Sequence, residues 1–245
     1  DINYNHFDIE LGDTLTDPKH WDDEPFDAIV SNPPYSIKWD GDSNPLLIND
    51  PRFSPAGVLA PKSKADLAFT MHMLSWLSTS GTAAIVEFPG VLYRGGVEAK
   101  IRKYLVDNNY VDAVIQLPPD LFFGTTIATC VIVLKKSKKD NKTLFIDASV
   151  EFVRGGNKNK LSEENLNKIL STFIERKDIE HFAKIVDNKT IADNDYNLAI
   201  SSYVEQKDTR EIVDIKELNK EIERIVKRQN ELRSAIDEIV ADIEM

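Results

Sequence analysis

Short β-branched runs alternate with stretches of helical apolar spacing along the first half of the chain, the pattern of an α/β fold with a mostly parallel sheet. Four runs read as strands: residues 27–31, 83–88, 111–117 and 128–134. The first ends in a proline-rich turn, and the second is entered through Ser80-Gly81 after a helix. Between them, residues 66–77 carry Leu67, Phe69, Met71, Met73, Leu74 and Leu77, and residues 97–106 carry Ile101, Tyr104 and Leu105. Each spacing predicts a helix with a face to bury. Residues 135–142, KKSKKDNK, read as a basic turn, and the strand expected at 144–150 would close a hairpin with its predecessor. The positively charged segment 154–160 reads as a loop, either solvated or a contact for phosphate. Ser162 followed by Glu163 and Glu164 predicts a helix start, with Ser162 as the N-cap.

The last forty residues change period. Ile215, Leu218, Ile222, Ile225, Gln229, Leu232, Ile236, Ile239 and Ile243 are spaced alternately three and four apart, a heptad seam with Gln229 as its single polar core position. The seam could pack on the chain's own globular part. Its narrow 3.5-residue stripe favours a partner helix, because packing on a globular face uses a broader 3.6-residue pattern.

Composition narrows the class. With 42% hydrophobic and 29% charged residues there is material for a core under a solvated surface, and no apolar run is long enough to span a membrane. The single Cys130 excludes a disulfide framework, and neither it nor the four scattered histidines give metal-ligand spacing. No metal site is expected, and a reducing cytoplasm fits. Thirty basic against 41 acidic residues leave a net charge of −11, so any binding of nucleic acid is local or supplied by a partner. The chain opens at Asp1 rather than Met, in strand- and turn-like residues, which predicts a segment upstream.

Chemistry is concentrated at Asn32-Pro33-Pro34-Tyr35, directly after the first strand, where parallel sheets place their sites. Two prolines fix the backbone and remove two N–H donors, so carbonyls point outward beside the Asn32 side-chain oxygen. Tyr35 adds a flat ring suited to stacking on a base. Two rigid acceptors beside an aromatic face fit an exocyclic amine: they take its hydrogens and free its lone pair for alkylation. The same four residues would also serve as a plain turn.

This motif resembles that of S-adenosylmethionine-dependent amino-methyltransferases, and the surrounding sequence resembles the modification subunit of type I restriction-modification systems. The segments that carry the likeness are 11–15 (LGDTL), 26–35 (FDAIVSNPPY), 66–69 (DLAF), 88–96 (FPGVLYRGG) and 195–198 (DYNL), in the family's order and spacing over residues 1 to about 205. The resemblance implies adenine N6 methylation of double-stranded DNA, with the target base flipped into the pocket. Asn32 and the Pro33 carbonyl would hold the amino group, Pro34 would stiffen the turn, and Tyr35 would stack on the base. Phe122 or Phe123 would form a second wall, though either could be core. Asp13 would accept from the adenine of S-adenosylmethionine or serve only its own turn. Asp66 would line the pocket or cap the helix it opens, capping being preferred. The implied partners are a specificity subunit, bound through Leu218, Ile222, Ile225, Gln229, Leu232, Ile236 and Ile239, and a restriction subunit in the complete complex.

The chain departs from the family in lacking two cofactor elements, the glycine-rich strand-to-helix turn and the acidic residue for the ribose. The pairs Gly95-Gly96 and Gly155-Gly156 are not expected between a strand and a helix. The expectation is therefore the carboxyl-terminal part of a modification subunit. It comprises residues 1–150 of a partial Rossmann-like methyltransferase domain, an α/β extension over 151–207 and a coiled-coil helix over 208–245. The strand expected to end near Gly12 would then stand apart from the one ending at Ser31, with two family strands missing between them. Open sheet edges, association or marginal stability, and inactivity of the isolated chain follow. Two other readings compete: a non-catalytic interaction fragment, supported by the missing cofactor turn, and a methyltransferase for another amine or amide such as a protein glutamine. The terminal heptad helix counts against the latter.

Overall fold

The β-branched runs form strands because each is apolar on both faces or on alternate residues, and the sheet they build is mixed rather than mostly parallel. The computed structural model describes residues 7–20, 24–207 and 215–243. The opening residues and the tail's first positions, 208–214, lie outside the described residues. The strands are β1 (Phe26–Ser31), β2 (Leu77–Glu87), β3 (Val111–Gln116), β4 (Cys130–Lys135), β5 (Lys142–Asp147), β6 (Val153–Gly155), β7 (Lys158–Lys160) and β8 (Ala183–Asp187). The helices are α1 (Pro45–Ile48), α2 (Asp66–Trp76), α3 (Val97–Asp107), α4 (Glu163–Glu175), α5 (Asn188–Asp193) and α6 (Ile215–Ile243).

Six strands lie in the order β1-β2-β4-β3-β5-β8, while β6 and β7 form a separate hairpin. β1/β2 and β3/β5 are parallel, whereas β4 is antiparallel to β2 and β3, and β8 to β5. One transverse row runs Ser31, Ile85, Ile132, Val114, Phe145. Alternation sends Ile85, Val114, Ile132, Leu134 and Phe145 to a core shared with Leu67, Leu74, Ile101, Leu105 and Ile191 of α2, α3 and α5. Ala113, Ile115, Val133, Leu144 and Ile146 face the opposite core, which Ile169 and Phe173 of α4 cover. β1 is an edge strand, and its Val30 is 85% exposed.

Several expectations need correction. The 128–134 and 144–150 runs do not form a hairpin, because β3 lies between β4 and β5. Both runs are buried and need a neighbour on each side, so the basic connection crosses the start of β3 instead. There Lys135 N–H donates to Tyr110 O (2.9 Å), Asn109 Nδ2 to Asp140 O (2.7 Å) and Lys138 Nζ to Val111 O (2.6 Å). Residues 7–12 form no strand. The 154–160 segment is the β6–β7 hairpin. Ser162 does cap α4, its Oγ accepting from Asn165 N–H while Asn165 Oδ1 accepts from Ser162 N–H.

Two compact units divide the chain at Gln206 and Lys207. In the second, α6 is a single 29-residue helix with no buried residue, and its seam positions Leu218, Ile222, Ile225, Leu232, Ile236 and Ile239 are all exposed. Among the described residues no helix is long and apolar enough to cross a membrane.

Candidate active site

β1 ends at Ser31, and the chain turns at once through Asn32-Pro33-Pro34-Tyr35. Pro33 is buried and Asn32 exposed, so the proline anchors the turn and presents the amide. Tyr35 Oη donates to Asn32 Oδ1 at 2.6 Å. That bond ties the Asn32 amide to the ring that follows it, with its oxygen turned toward the hydroxyl. Burial, reinforced by Glu87 and Cys130, pushes the Tyr35 hydroxyl up to about 12, so it remains a donor at neutral pH.

Ser36, the next residue, has φ 51°, the left-handed region that a serine enters only when held there. Asp66 holds it: Oδ1 accepts from Ser36 N–H at 2.7 Å. Asp66 is the first residue of α2 and makes no cap bond, which corrects the preference for capping; its carboxylate reaches back across 30 residues of sequence to the motif. Further bonds lace the two segments, from Ala65 N–H to Ile37 O (2.9 Å) and from Trp39 N–H to Lys62 O (3.1 Å).

Behind the turn lies a buried polar cluster that sequence reasoning missed. Glu87, the last residue of β2, is fully buried opposite Cys130 of β4, and Thr70 Oγ1 donates to its Oε1 at 2.8 Å. Burial raises the Glu87 carboxyl to about 8, with Asp66 and Glu98 pushing the same way, so it is mostly neutral at pH 7. Glu87 Oε2 and Asp66 Oδ2 are buried without a hydrogen-bond partner. The available signal was an acidic residue ending an apolar strand, and Asp66 and Thr70 four apart on an apolar helix.

Asp13 sits in a turn of its own, Oδ1 accepting from Leu15 N–H (2.9 Å) and Thr16 N–H (3.2 Å), which leaves Oδ2 for a ligand. Buried Arg52 ties this segment to the domain, donating to Thr14 O (3.0 Å), Leu15 O (2.7 Å) and the Asp50 carboxylate (2.7 Å). Its Nη1 also lies 3.1 Å from His72 Nδ1, and burial together with the guanidinium lowers His72 to about 4. Thr14, Pro33 and Pro34 line one cavity of about 530 Å³, floored by Phe69, His72 and Met73 of α2.

The Gly95-Gly96 pair corrects another expectation. It does lie between β2 and α3, with Gly96 at the N-cap of α3. A 3-10 turn at Pro89–Leu92 separates it from the strand, so it is not the direct strand-to-helix turn of a phosphate cradle. Gly155-Gly156 turns the β6–β7 hairpin.

Phe122 and Phe123 do not share one environment. Phe122 packs on the second core, whereas Phe123 is fully exposed. Their loop leaves the carboxyl end of β3, the same end of the sheet as the motif but three strands over, about 14 Å at the usual strand spacing. Among the described residues no ring contact joins either of them to Tyr35. The basic charge of the β6–β7 hairpin is partly committed, since Arg154 and Lys158 both pair with Asp120.

Residues 1–212 match the family described as N-6 DNA Methylase. The methylase subunit of type I restriction enzyme MpnII from Mycoplasma pneumoniae is 48% identical over the whole chain, which covers 46% of that protein. The MjaVII methylase subunit from Methanocaldococcus jannaschii is 34% identical over 99% of the chain and 43% of its own length. A solved type I restriction-modification methyltransferase subunit from Streptococcus thermophilus superposes with a TM-score of 0.76 at 45% identity, over 79% of this chain and 41% of that one. The chain thus spans less than half the length of the relatives it matches. With the motif turn, its buried acidic support and this breadth of likeness together, the chain belongs to the N-6 DNA Methylase family.

Proposed function

We propose that this chain carries the base-handling part of a type I modification methyltransferase that methylates adenine N6 in DNA. The observation that carries the reading is the motif turn itself, with Asn32 Oδ1 oriented by Tyr35 and the following residue pinned by Asp66. Asn32 Oδ1 and the Pro33 carbonyl accept the two hydrogens of the amino group. This localises its lone pair on nitrogen, where S-adenosylmethionine, when bound, supplies an activated methyl group. Asn32 Oδ1 has two lone pairs, so the amine can join or displace the Tyr35 hydroxyl. Asn32 cannot take up the proton the amine sheds on methylation. The exposed Asn32 and Pro34 leave a route for it to solvent.

Asp13 and the wall of the 530 Å³ cavity hold the adenine end of the cofactor. Tyr35 stacks on the flipped base, and exposed Phe123 approaches it from the loop after β3, while Phe122 supports that loop from the core. Residues 1–150 form the catalytic part, 151–207 an extension, and α6 (Ile215–Ile243) serves as the assembly helix. α6 docks on a specificity subunit, which reads the DNA sequence and compensates for the net charge of −11; a restriction subunit joins the complete complex.

The test is Asn32→Ala in the complete modification subunit with its specificity subunit, scored by transfer of labelled methyl groups and by N6-methyladenine in digested DNA. Methyl transfer should fall by at least about 100-fold, the loss typical when one preorganised polar contact to the reacting group is removed, with assembly unchanged. Retained methylation would overturn the role given to Asn32.

A further inference from the structure

The loop that presents Phe123 is braced by the β6–β7 hairpin. Asp120, at φ 59°, begins the loop, and its N–H donates to Thr126 O at 3.3 Å, closing a seven-residue ring. Lys158 staples the two stems, its Nζ donating to Asp120 Oδ1 (2.7 Å) and Thr125 O (2.9 Å). Buried Asn159 adds two bonds, N–H to Asp120 O (3.0 Å) and Nδ2 to Pro119 O (2.8 Å). Arg154 Nη1 completes the brace, donating to Asp120 Oδ2 (3.1 Å) and Asn159 Oδ1 (2.9 Å).

All of this fixes the base of a loop in which Phe123, unlike its two neighbours, takes no part in packing. Leu121 and Phe122 turn inward to the second core, and Phe123 stands fully in solvent. The brace holds a large apolar ring where folding alone gives it no reason to be held. Rigid presentation does have a use if the ring must meet a planar partner, because ordering the loop then adds no cost at binding.

We propose that the β6–β7 hairpin is a brace that presents Phe123 to the flipped base, with Lys158 as the positioning residue. The inference rests on the base-flipping reading above. Lys158 touches neither base nor cofactor; it acts through the stems of the loop. Arg154 and Lys158 thus share the single Asp120 carboxylate, which offsets part of the hairpin's positive charge.

The experiment uses the complete subunit with its specificity subunit and DNA carrying 2-aminopurine at the target position, whose fluorescence rises on unstacking. The wild-type protein should give that rise. Lys158→Met should cut it at least threefold and lower kcat about tenfold, as small misplacements of positioned groups do. DNA affinity and the KM for S-adenosylmethionine should stay within twofold. Lys158→Arg should restore most of the signal, which a loss of general stability would not. Phe123→Ala should reproduce the defect, and the double variant should be no worse than Phe123→Ala alone. Should Lys158→Met fail to fold, Asp120→Asn removes the same ion pair with its shape kept. Wild-type fluorescence and kcat in Lys158→Met, or additive losses in the double variant, would overturn the brace alone. Absence of any rise in the wild-type protein would overturn base flipping, and the brace with it.

Discussion

Glu87→Gln should remove from this chain a pH dependence of stability that one buried proton dictates. Glu87 is fully buried, and burial lifts its carboxyl from the ordinary 4.5 to about 8. Hydrogen bonding from Thr70 and from the Phe88 backbone offsets only part of this; the Cys130 thiol lies opposite on β4, and the nearby carboxyls of Asp66 and Glu98 disfavour its charge. Between pH 4.5 and 8 the unfolded chain releases this proton and the folded chain keeps it, so stability falls as pH rises. At about 1.4 kcal/mol per pH unit the full loss is about 5 kcal/mol. His72 acts in the opposite sense. Lowered to about 4 from an ordinary 6.5, it adds stability as pH rises from 4 to 6.5 and nothing beyond. The two nearly cancel up to pH 6.5, and Glu87 alone removes about 2 kcal/mol between 6.5 and 8. Glutamine keeps the acceptor for Thr70 and places N–H hydrogens where the neutral acid carries its proton. Urea unfolding of both proteins from pH 4.5 to 8.5, followed by tryptophan fluorescence, isolates the effect, because His72 is common to both. The stability difference should grow with pH by about 5 kcal/mol in favour of Glu87→Gln and level off above pH 8. A difference that stays constant across that range would refute a neutral, desolvated Glu87.

Two further perturbations separate the parts of the chain. Paired Ile222→Glu and Ile225→Glu changes should abolish co-purification with the specificity subunit and leave S-adenosylmethionine binding by the complete subunit unchanged; undisturbed co-purification would remove α6 from the docking role. Arg52→Met should lower stability by about 3–5 kcal/mol in urea unfolding, because it strands the Asp50 carboxylate, the buried Leu15 carbonyl and the Thr14 carbonyl. A loss under about 1 kcal/mol would show that the Asp13 segment is held by other contacts.

The motif was readable because its chemistry is written in four consecutive residues, and its place after a strand follows from the apolar run before it. Helices α2, α3 and α6 were readable for the same reason: their apolar spacing is local. What escaped was everything that depends on residues far apart. A basic turn between two apolar runs is a good hairpin signal, yet nothing in residues 130–147 says that Val111–Gln116 will lie between them. Asp66 at the start of a helix reads as a cap until the loop at Ser36 is brought to it. Glu87 looked like an ordinary strand end, and only its burial opposite Cys130 makes it unusual. The hairpin at 153–160 was hidden because its glycine turn and basic charge are equally those of a solvated loop.

The place of β4 also bears on the order in which this protein is made. β2 and β3 are joined only through Cys130–Lys135, which follows both of them in the chain. A nascent chain that has emerged only as far as residue 125 therefore holds two bare edges that face each other and cannot pair correctly. β4 can reach β3 as a long-looped hairpin, whereas its pairing with β2 is non-local and slower. The buried surroundings of Glu87 need Cys130 as well, so the support beneath Asn32-Pro33-Pro34-Tyr35 is completed only after the motif has waited for 95 more residues to leave the ribosome.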